Sequence, residues 1–371
     1  MRILFTCGGT AGHINPAIAL ARMFQSRHQD CQVLFAGADN GMERTLVPHE
    51  GYELRTVHVN TIHRAWKWKD IKHNVMTVLT LPHARRQAKA ILREFRPDLV
   101  VGTGGYASYP VVKEAARMGI PTAVHESNAV PGLTTKLLSK VTDRVLVGFE
   151  DSRKYYPHPE RVVVTGTPVR RDFFDHTRRE AKAELGVEDG CPLVLSYWGS
   201  LGAEQMGRYT ADFIQRELSE GSPFRHIHGA GRNYQWLTGE LERRGLDLGE
   251  RVEVREYIYD MPLVMDAADL VICRAGASTI SELTAVAKPC ILIPSPNVTN
   301  NHQEKNARVL EQHGAAVVLL EPETDGGELY RTAKELLDHP ERRTAMSQAL
   351  SDLSVTDAAE EIYNVLISLL R

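Results

Sequence analysis

The sequence predicts an α/β protein built from two doubly wound parallel-sheet domains. Three observations carry this reading. Short β-branched runs recur along the chain, stretches of helical length and amphipathic pattern separate them, and the series occurs twice. The break falls near Thr165–Arg171, where Thr-Gly-Thr-Pro-Val-Arg interrupts the pattern. At 371 residues the chain is long enough for two domains of ordinary size.

In the first half the strands read Arg2–Cys7, Val33–Gly37, Asp98–Val101, Thr122–His125 and Arg144–Val147. In the second they read Leu193–Tyr197, His226–Ala230, Val252–Arg255, Leu270–Arg274, Cys290–Pro294 and Ala316–Leu320. Strands alternating with helices make βαβ units, and ligands of such sheets sit beyond the carboxyl ends of the strands. Two domains of this kind are expected to face each other across a cleft. The expected spans are 1–165 and 166–354, with 355–371 as a closing segment.

Composition excludes several classes. Apolar content of 43 % and charged content of 25 % are those of an ordinary globular protein. No apolar run approaches the ~20 residues that span a bilayer. Met1–Cys7 runs straight into a glycine turn, so it reads as a first strand and not a signal peptide, and the expected location is the cytosol. Cys7, Cys31, Cys191, Cys273 and Cys290 lie in or beside apolar runs without C-x-x-C spacing, which predicts buried thiols and neither zinc nor disulfides. Residues 1–165 carry 22 Lys+Arg against 14 Asp+Glu, a balance of +8, and the remainder carries 22 against 33, a balance of −11. The basic half suits an anionic partner such as a phosphate-bearing substrate or an acidic lipid surface; drift between domains is the bland alternative. Nothing in the pattern points to nucleic acid.

The chemistry lies in the turns. The first strand ends in Gly8-Gly9-Thr10-Ala11-Gly12-His13, with Pro16 at a plausible first helical turn. Glycines permit close backbone approach, and a helix N-terminus favours anions. Neither G-x-G-x-x-G nor G-K-[ST] is present, so dinucleotide and P-loop readings fail. His13 can act as a base near neutral pH, although a lone histidine is more often structural. A second turn, Gly102-Thr103-Gly104-Gly105-Tyr106, and a third loop, His125-Glu126-Ser127-Asn128, follow later strands of the same sheet. Glu126 is a candidate acid/base and Asn128 a candidate hydroxyl binder, against a plain loop-capping role for each.

In the second half, Trp198-Gly199-Ser200-Leu201-Gly202-Ala203 reads as a pyrophosphate cradle with Ser200 and backbone amides as donors, and Arg170 offers a cation for the same phosphates. Arg274-Ala275-Gly276-Ala277-Ser278-Thr279-Ile280-Ser281-Glu282 again joins a strand to a helix. Thr279-x-x-Glu282 fits a capping box, and the competing role is a carboxylate gripping two ribose hydroxyls. His302, Gln303 and Asn306 enter another helix with groups suited to sugar hydroxyls, or simply a solvated helix start.

Taken in order, these motifs resemble one family, the UDP-GlcNAc-dependent N-acetylglucosaminyltransferases that act on undecaprenyl-pyrophosphoryl-MurNAc-pentapeptide (the MurG family, glycosyltransferase family 28). The likeness runs from Gly8 to about Asn306 by motif, including Pro131-Gly132 and Thr165–Arg170, and onward by layout. It implies the two-Rossmann-domain architecture called GT-B, with an N-terminal domain for the lipid acceptor and membrane and a C-terminal domain for UDP-GlcNAc. It implies inverting transfer of GlcNAc to the C4 hydroxyl of MurNAc in lipid I, giving lipid II for peptidoglycan. By the same likeness, Ile258 meets uracil through its backbone, Glu282 the ribose, and Ser200 and Arg170 the pyrophosphate. Thr10, Ala11, Gly12, Asn128, Gln303 and the Ala277–Ser281 turn complete the donor site, with Gly104, Gly105 and Tyr106 on the acceptor side. His13 is the first candidate base and Glu126 the second. The last helix, about Asp357–Leu370, is expected to return to the first domain. Three departures stand out: Trp198 and Leu201 replace a glycine and a glutamine, Thr167 stands in T-G-N-P, and Ala11 replaces the second glycine of T-G-G-H.

No D-x-D triplet is present, and Glu321-Pro-Glu-Thr-Asp325 reads as an acidic turn, so neither a metal nor a cofactor is expected. Residues 63–89 pair Trp66 and Trp68 with lysines, follow with Val75 and Leu79, and end in Arg85, Arg86 and Lys89. That pattern suits peripheral docking on an anionic membrane, at the cytoplasmic face; an ordinary amphipathic helix broken by Pro82 is the alternative. Cell-wall or division proteins are further partners that the likeness allows. The rivals are a UDP-GlcNAc 2-epimerase, which needs no lipid, and a non-catalytic UDP-sugar-binding protein.

Overall fold

Most β-branched runs are followed by a helix that returns the chain to the strand's starting end, so the strands within each sheet pair in parallel. The computed structural model describes residues 1–60, 68–199, 203–298, 301–355 and 357–370. The chain divides into two units, Met1–Val169 with Val355–Arg371, and Arg170–Ser354.

Among the described residues, the first unit holds β1 (Arg2–Thr6), β2 (Gln32–Ala38), β3 (Leu54–Val57), β4 (Leu99–Gly102), β5 (Thr122–Glu126), β6 (Arg144–Val147) and β7 (Val162–Val164). They form one parallel sheet in the order β3-β2-β1-β4-β5-β6-β7. Alternation along β1 sends Leu4 to one face and Ile3 and Phe5 to the other. The Leu4 face is covered by Ala84, Ala88 and Leu92 of helix Trp68–Phe95 and by Val111, Val112 and Ala115 of helix Ser108–Arg117. The opposite face is covered by Ile14, Ala17, Ala21 and Phe24 of helix Ala11–Arg27 and by Ile362 and Leu366 of helix Ala358–Ser368. That last helix is tied to the first by an Arg27–Glu360 ion pair and by a 2.7 Å hydrogen bond between His28 Nε2 and Tyr363 Oη.

The second unit repeats the plan with β8 (Leu193–Tyr197), β9 (Arg225–Gly229), β10 (Val252–Arg255), β11 (Leu270–Cys273), β12 (Cys290–Leu292) and β13 (Val317–Val318). Their parallel order is β10-β9-β8-β11-β12-β13. Both units are therefore doubly wound and Rossmann-like. The strand order reverses between β1 and β4 in the first and between β8 and β11 in the second, which is where such sheets hold ligands.

The structure adds two strands that the pattern did not disclose. β3 and β7 are edge strands, and β3 has a mixed, half-exposed face in place of a continuous apolar run. Helix Trp68–Phe95 continues through Pro82 and is not broken there. Pro16 stands at the sixth position of its helix, past the first turn, so it offers no N–H to the Gly12 carbonyl.

Candidate active site

In the first unit the two strands at the reversal both end in glycine turns, and the turns touch. Gly105 has φ +81°, and a Cβ there would lie 2.1 Å from the Gly8 carbonyl oxygen. Only glycine permits that approach of two backbones. A Cβ on Gly104 would lie 2.4 Å from His13 Nδ1, so the His13 ring rests directly on that turn. Thr103 Oγ1 donates a 2.6 Å hydrogen bond to the His13 carbonyl and fixes the ring's base from the same side. Helix Ala11–Arg27 starts here with Thr10 as an extended N-cap whose hydroxyl makes no capping bond. Ala11, Gly12 and His13 are its first residues, so the partial positive end of the helix opens on the paired turns. Tyr106 completes the wall, its hydroxyl donating to Asn40 Oδ1 at 3.1 Å.

Behind these turns lies a group that the sequence did not disclose. Glu43 is fully buried, and its carboxylate accepts hydrogen bonds from Gly9 N at 3.1 Å and Ala38 N at 2.7 Å. Its mark is in the fold and not in the sequence order: Cβ atoms at Gly8, Gly37 and Gly41 would all fall within 3 Å of its side chain.

The loop after β5 folds around Glu126. This residue is 3 % exposed, and its carboxylate accepts from Asn128 Nδ2 at 2.8 Å, Asn128 N at 3.2 Å and Gly132 N at 2.9 Å. Of the two roles the sequence allowed, the geometry is that of the loop cap. Asn128 is positioned by the same bonds. His125 is buried, with Nε2 2.9 Å from the Gly166 carbonyl, and burial holds its pKa below the usual histidine value.

In the second unit, Trp198 is buried with its indole N–H on Thr210 Oγ1 at 2.8 Å, which anchors the β8 turn to helix Glu204–Ser219. Ser200 lies outside the described residues. After β11 the helix begins at Ala277 with Gly276 as an extended N-cap. Thr279 is thus the third helical residue and Glu282 the sixth, and the capping box that the spacing suggested does not form. Ala277, Ser278 and Thr279 line the first turn; the Ile280 side chain belongs to the core, and Ser281 Oγ bonds back to the Ala277 carbonyl at 2.9 Å. No hydrogen bond among the described residues reaches the Glu282 carboxylate. Burial pushes its pKa up to about 7, against the opposing charge of Arg170 and with a smaller contribution from Asp172. Arg170 also pairs with Asp172 at 3.5 Å and lies over the Phe173 ring at 5.5 Å.

Ile258 points inward, where a Cβ on Gly229 would be 3.0 Å from its Cδ1, so the loop presents Ile258 by its backbone. Tyr257 and Tyr259 on either side are exposed, and Arg255 braces the loop through Asp260 at 3.0 Å. Helix His302–Gln312 opens after Asn301, which adopts φ +51°. Gln303 Oε1 accepts from Ser295 N at 2.8 Å, and the buried Asn306 reaches the Ala275 carbonyl at 3.4 Å, tying this helix to the β11 turn. His302 is the first residue of the helix. Arg274 stabilises the same turn through the Ile293 carbonyl at 3.0 Å and Glu321 at 2.5 Å. Among the described residues no group of three or more His, Cys, Asp or Glu side chains could hold a metal ion.

Of the segment read as a membrane contact, Trp66 lies outside the described residues, and Trp68, Val75 and Leu79 fall on helix Trp68–Phe95. No helix among the described residues is long and apolar enough to cross a membrane.

Two family models match the chain: the glycosyltransferase family 28 N-terminal domain over residues 3–147 and the glycosyltransferase family 28 C-terminal domain over residues 197–362. The chain is 40 % identical over 377 residues to a protein of Acetivibrio thermocellus, covering 100 % of this chain and 99 % of that one. It is 42 % identical over 369 residues to one of Thermoanaerobacter sp., covering 100 % of both. Each is named UDP-N-acetylglucosamine–N-acetylmuramyl-(pentapeptide) pyrophosphoryl-undecaprenol N-acetylglucosamine transferase. Among solved structures, Acinetobacter baumannii MurG superposes with a TM-score of 0.78 at 24 % identity, covering 99 % of each chain, a likeness of fold.

Proposed function

The chain belongs to glycosyltransferase family 28, and from that premise we propose that it transfers GlcNAc from UDP-GlcNAc to the C4 hydroxyl of MurNAc in lipid I, with inversion at the anomeric carbon. The observation that carries the reading is the full-length likeness to transferases of that name, joined to a nucleotide-type site in which no hydrogen bond among the described residues reaches the Glu282 carboxylate.

The second unit holds the donor. Ile258 offers backbone groups to the uracil, Glu282 accepts from the ribose hydroxyls, and Arg170, Ser200 and the Ala277–Thr279 turn receive the pyrophosphate. Those groups also stabilise the charge that develops as UDP departs. Gln303, His302 and Asn306 serve the sugar side. The first unit holds the acceptor against Gly104, Gly105 and Tyr106, with Thr10, Ala11, Gly12 and Asn128 completing the sugar's surroundings. His13 removes the proton of the C4 hydroxyl as that oxygen attacks the anomeric carbon, and the C1–O bond to the β-phosphate breaks on the opposite face. Glu126 is the weaker candidate for base, because its carboxylate already holds the loop that presents Asn128. The decisive experiment is transfer of labelled GlcNAc to a lipid I analogue. Incorporation that depends on both substrates supports the reading. Conversion of UDP-GlcNAc without acceptor would identify an epimerase, and binding without turnover a UDP-sugar-binding protein.

The acceptor is anchored in a membrane, and the protein attaches peripherally to its cytoplasmic face. The segment 63–89 supports this, because tryptophans beside lysines suit the interface and each basic residue near an anionic surface contributes roughly 1 kcal/mol. Replacing Trp66 and Trp68 with serine should reduce sedimentation with anionic vesicles, as should high salt, while transfer to a short-chain soluble acceptor persists. Wild-type vesicle binding by the double variant would move the docking surface elsewhere.

A further inference from the structure

An ionised carboxylate inside a protein costs several kcal/mol unless its oxygens are well bonded. Glu43 is fully buried, and among the described residues no cation pairs with it. Both oxygens instead go to backbone amides on two different strand ends: Oε2 to Gly9 after β1 and Oε1 to Ala38 at the end of β2. The space it occupies exists because its neighbours lack side chains. A Cβ would come within 2.8 Å of it at Gly8, 2.5 Å at Gly37 and 2.1 Å at Gly41. The segment Asp39–Glu43 supports both glycine turns at once. Glu43 holds the first through Gly9, and Asn40 holds the second through the Tyr106 hydroxyl. The segment is itself braced, since His58 Nδ1 lies 2.6 Å from Asp39 Oδ2 and Arg44 donates to the Asp39 carbonyl at 3.0 Å.

From this arrangement we infer that Glu43 is a positioning residue for the transfer reaction: by clamping Gly9 it fixes the turn that seats His13 on Gly104. The inference rests on the reading of His13 as the base. The mechanical chain is short. Gly9 is four residues from His13, Gly8 touches Gly105, and Gly104 supports the His13 ring. Glycine reaches φ +89° without strain but also many other conformations, so the bond from the Gly9 amide to Glu43 is what selects this one. A displacement of about 1 Å in such a group can lower turnover by about 10²-fold.

Two variants of the full chain test this. Glu43→Gln keeps the shape but presents an NH2 group to one of two amide donors, leaving that donor without an acceptor. Gly41→Ala keeps the charge and drives a methyl group into the carboxylate, a shift the flexible Glu43 side chain can absorb. Both are expected to accelerate hydrogen exchange at the Gly9 amide by at least about tenfold, read by NMR. Both should lower kcat by roughly 10- to 100-fold, with the KM for UDP-GlcNAc and the affinity for UDP changed by less than about threefold. Unchanged Gly9 exchange in Gly41→Ala would overturn the clamp. Faster exchange with wild-type kcat would overturn the positioning role and leave Glu43 as scaffold alone. A wild-type protein that transfers no GlcNAc would sink the reaction proposed above, while Gly9 exchange would still decide the clamp.

Discussion

The two strand-order reversals use their carboxylates in opposite ways. In the first unit Glu43 and Glu126 are buried but fully engaged, each accepting from backbone amides of the turns they hold. In the second unit Glu282 is partly buried at the side of a helix, no hydrogen bond among the described residues reaches its carboxylate, and desolvation pushes its pKa up to about 7. A buried carboxylate that already has its donors is structure. One that lacks them is waiting for donors from elsewhere, and a ribose supplies two. The units differ accordingly in what they offer a substrate. The first presents a backbone surface of paired glycine turns with a histidine on it, and the second presents a helix start beside one carboxylate that receives no hydrogen bond among the described residues.

The largest expected effect tests the histidine. His13→Ala should lower kcat by roughly 10²–10⁴, the usual loss for a general base, while calorimetry shows UDP bound as in wild type. Near-normal turnover would move the base to Glu126 or to the substrate itself. Next is a paired test of the carboxylates. Glu282→Gln should weaken UDP binding by about 1–3 kcal/mol while thermal stability stays equal or rises, because the carboxylate caps nothing and its burial opposes folding. Glu126→Gln should do the reverse. It leaves one of Asn128 N, Asn128 Nδ2 or Gly132 N facing an NH2 group, at a cost of roughly 1–3 kcal/mol in stability by thermal or denaturant unfolding, with UDP affinity intact. If both variants lose stability equally, the distinction between the units fails.

The sheets were legible because parallel strands buried on both faces write themselves as β-branched runs. β3 and β7 escaped for the complementary reason. They are edges, and Leu54–Val57 exposes much of its length to solvent. The glycine turns were legible as turns, but not their mutual contact, since nothing in the order Gly8…Gly105 states that β1 and β4 are neighbours. Glu282 was ambiguous because Thr279-x-x-Glu282 is also a cap signature; the decision lay in where the helix starts, and Gly276 starts it early enough to leave the carboxylate unused. Glu43 was invisible. Beside Met42 and Arg44 it looks like a solvated acid at a helix start, and only the folded positions of Gly8, Gly37 and Gly41 reveal the space made for it.

The smallest expected effect follows from the elevated pKa of Glu282. In the free protein this group is protonated below about pH 7 and ionised above it. If the ionised form accepts from the ribose hydroxyls, binding UDP below pH 7 must first release a proton. Affinity then falls as pH decreases through 7, by about tenfold between pH 8 and pH 6 for a single group with that pKa. Arg170, whose charge does not change in this range, contributes no slope of its own. Protonation of the UDP β-phosphate lowers affinity in the same direction, and Glu282→Gln leaves that contribution in place. Calorimetry of UDP binding from pH 6 to 8 in wild type and Glu282→Gln separates the two contributions. The wild-type slope should exceed that of the variant by up to the tenfold assigned to Glu282. Equal slopes would mean that Glu282 does not change its protonation when the nucleotide binds, so that it either donates to the ribose or does not meet it, and either outcome would erase the contrast between a satisfied and an unsatisfied carboxylate on which the comparison of the two units rests.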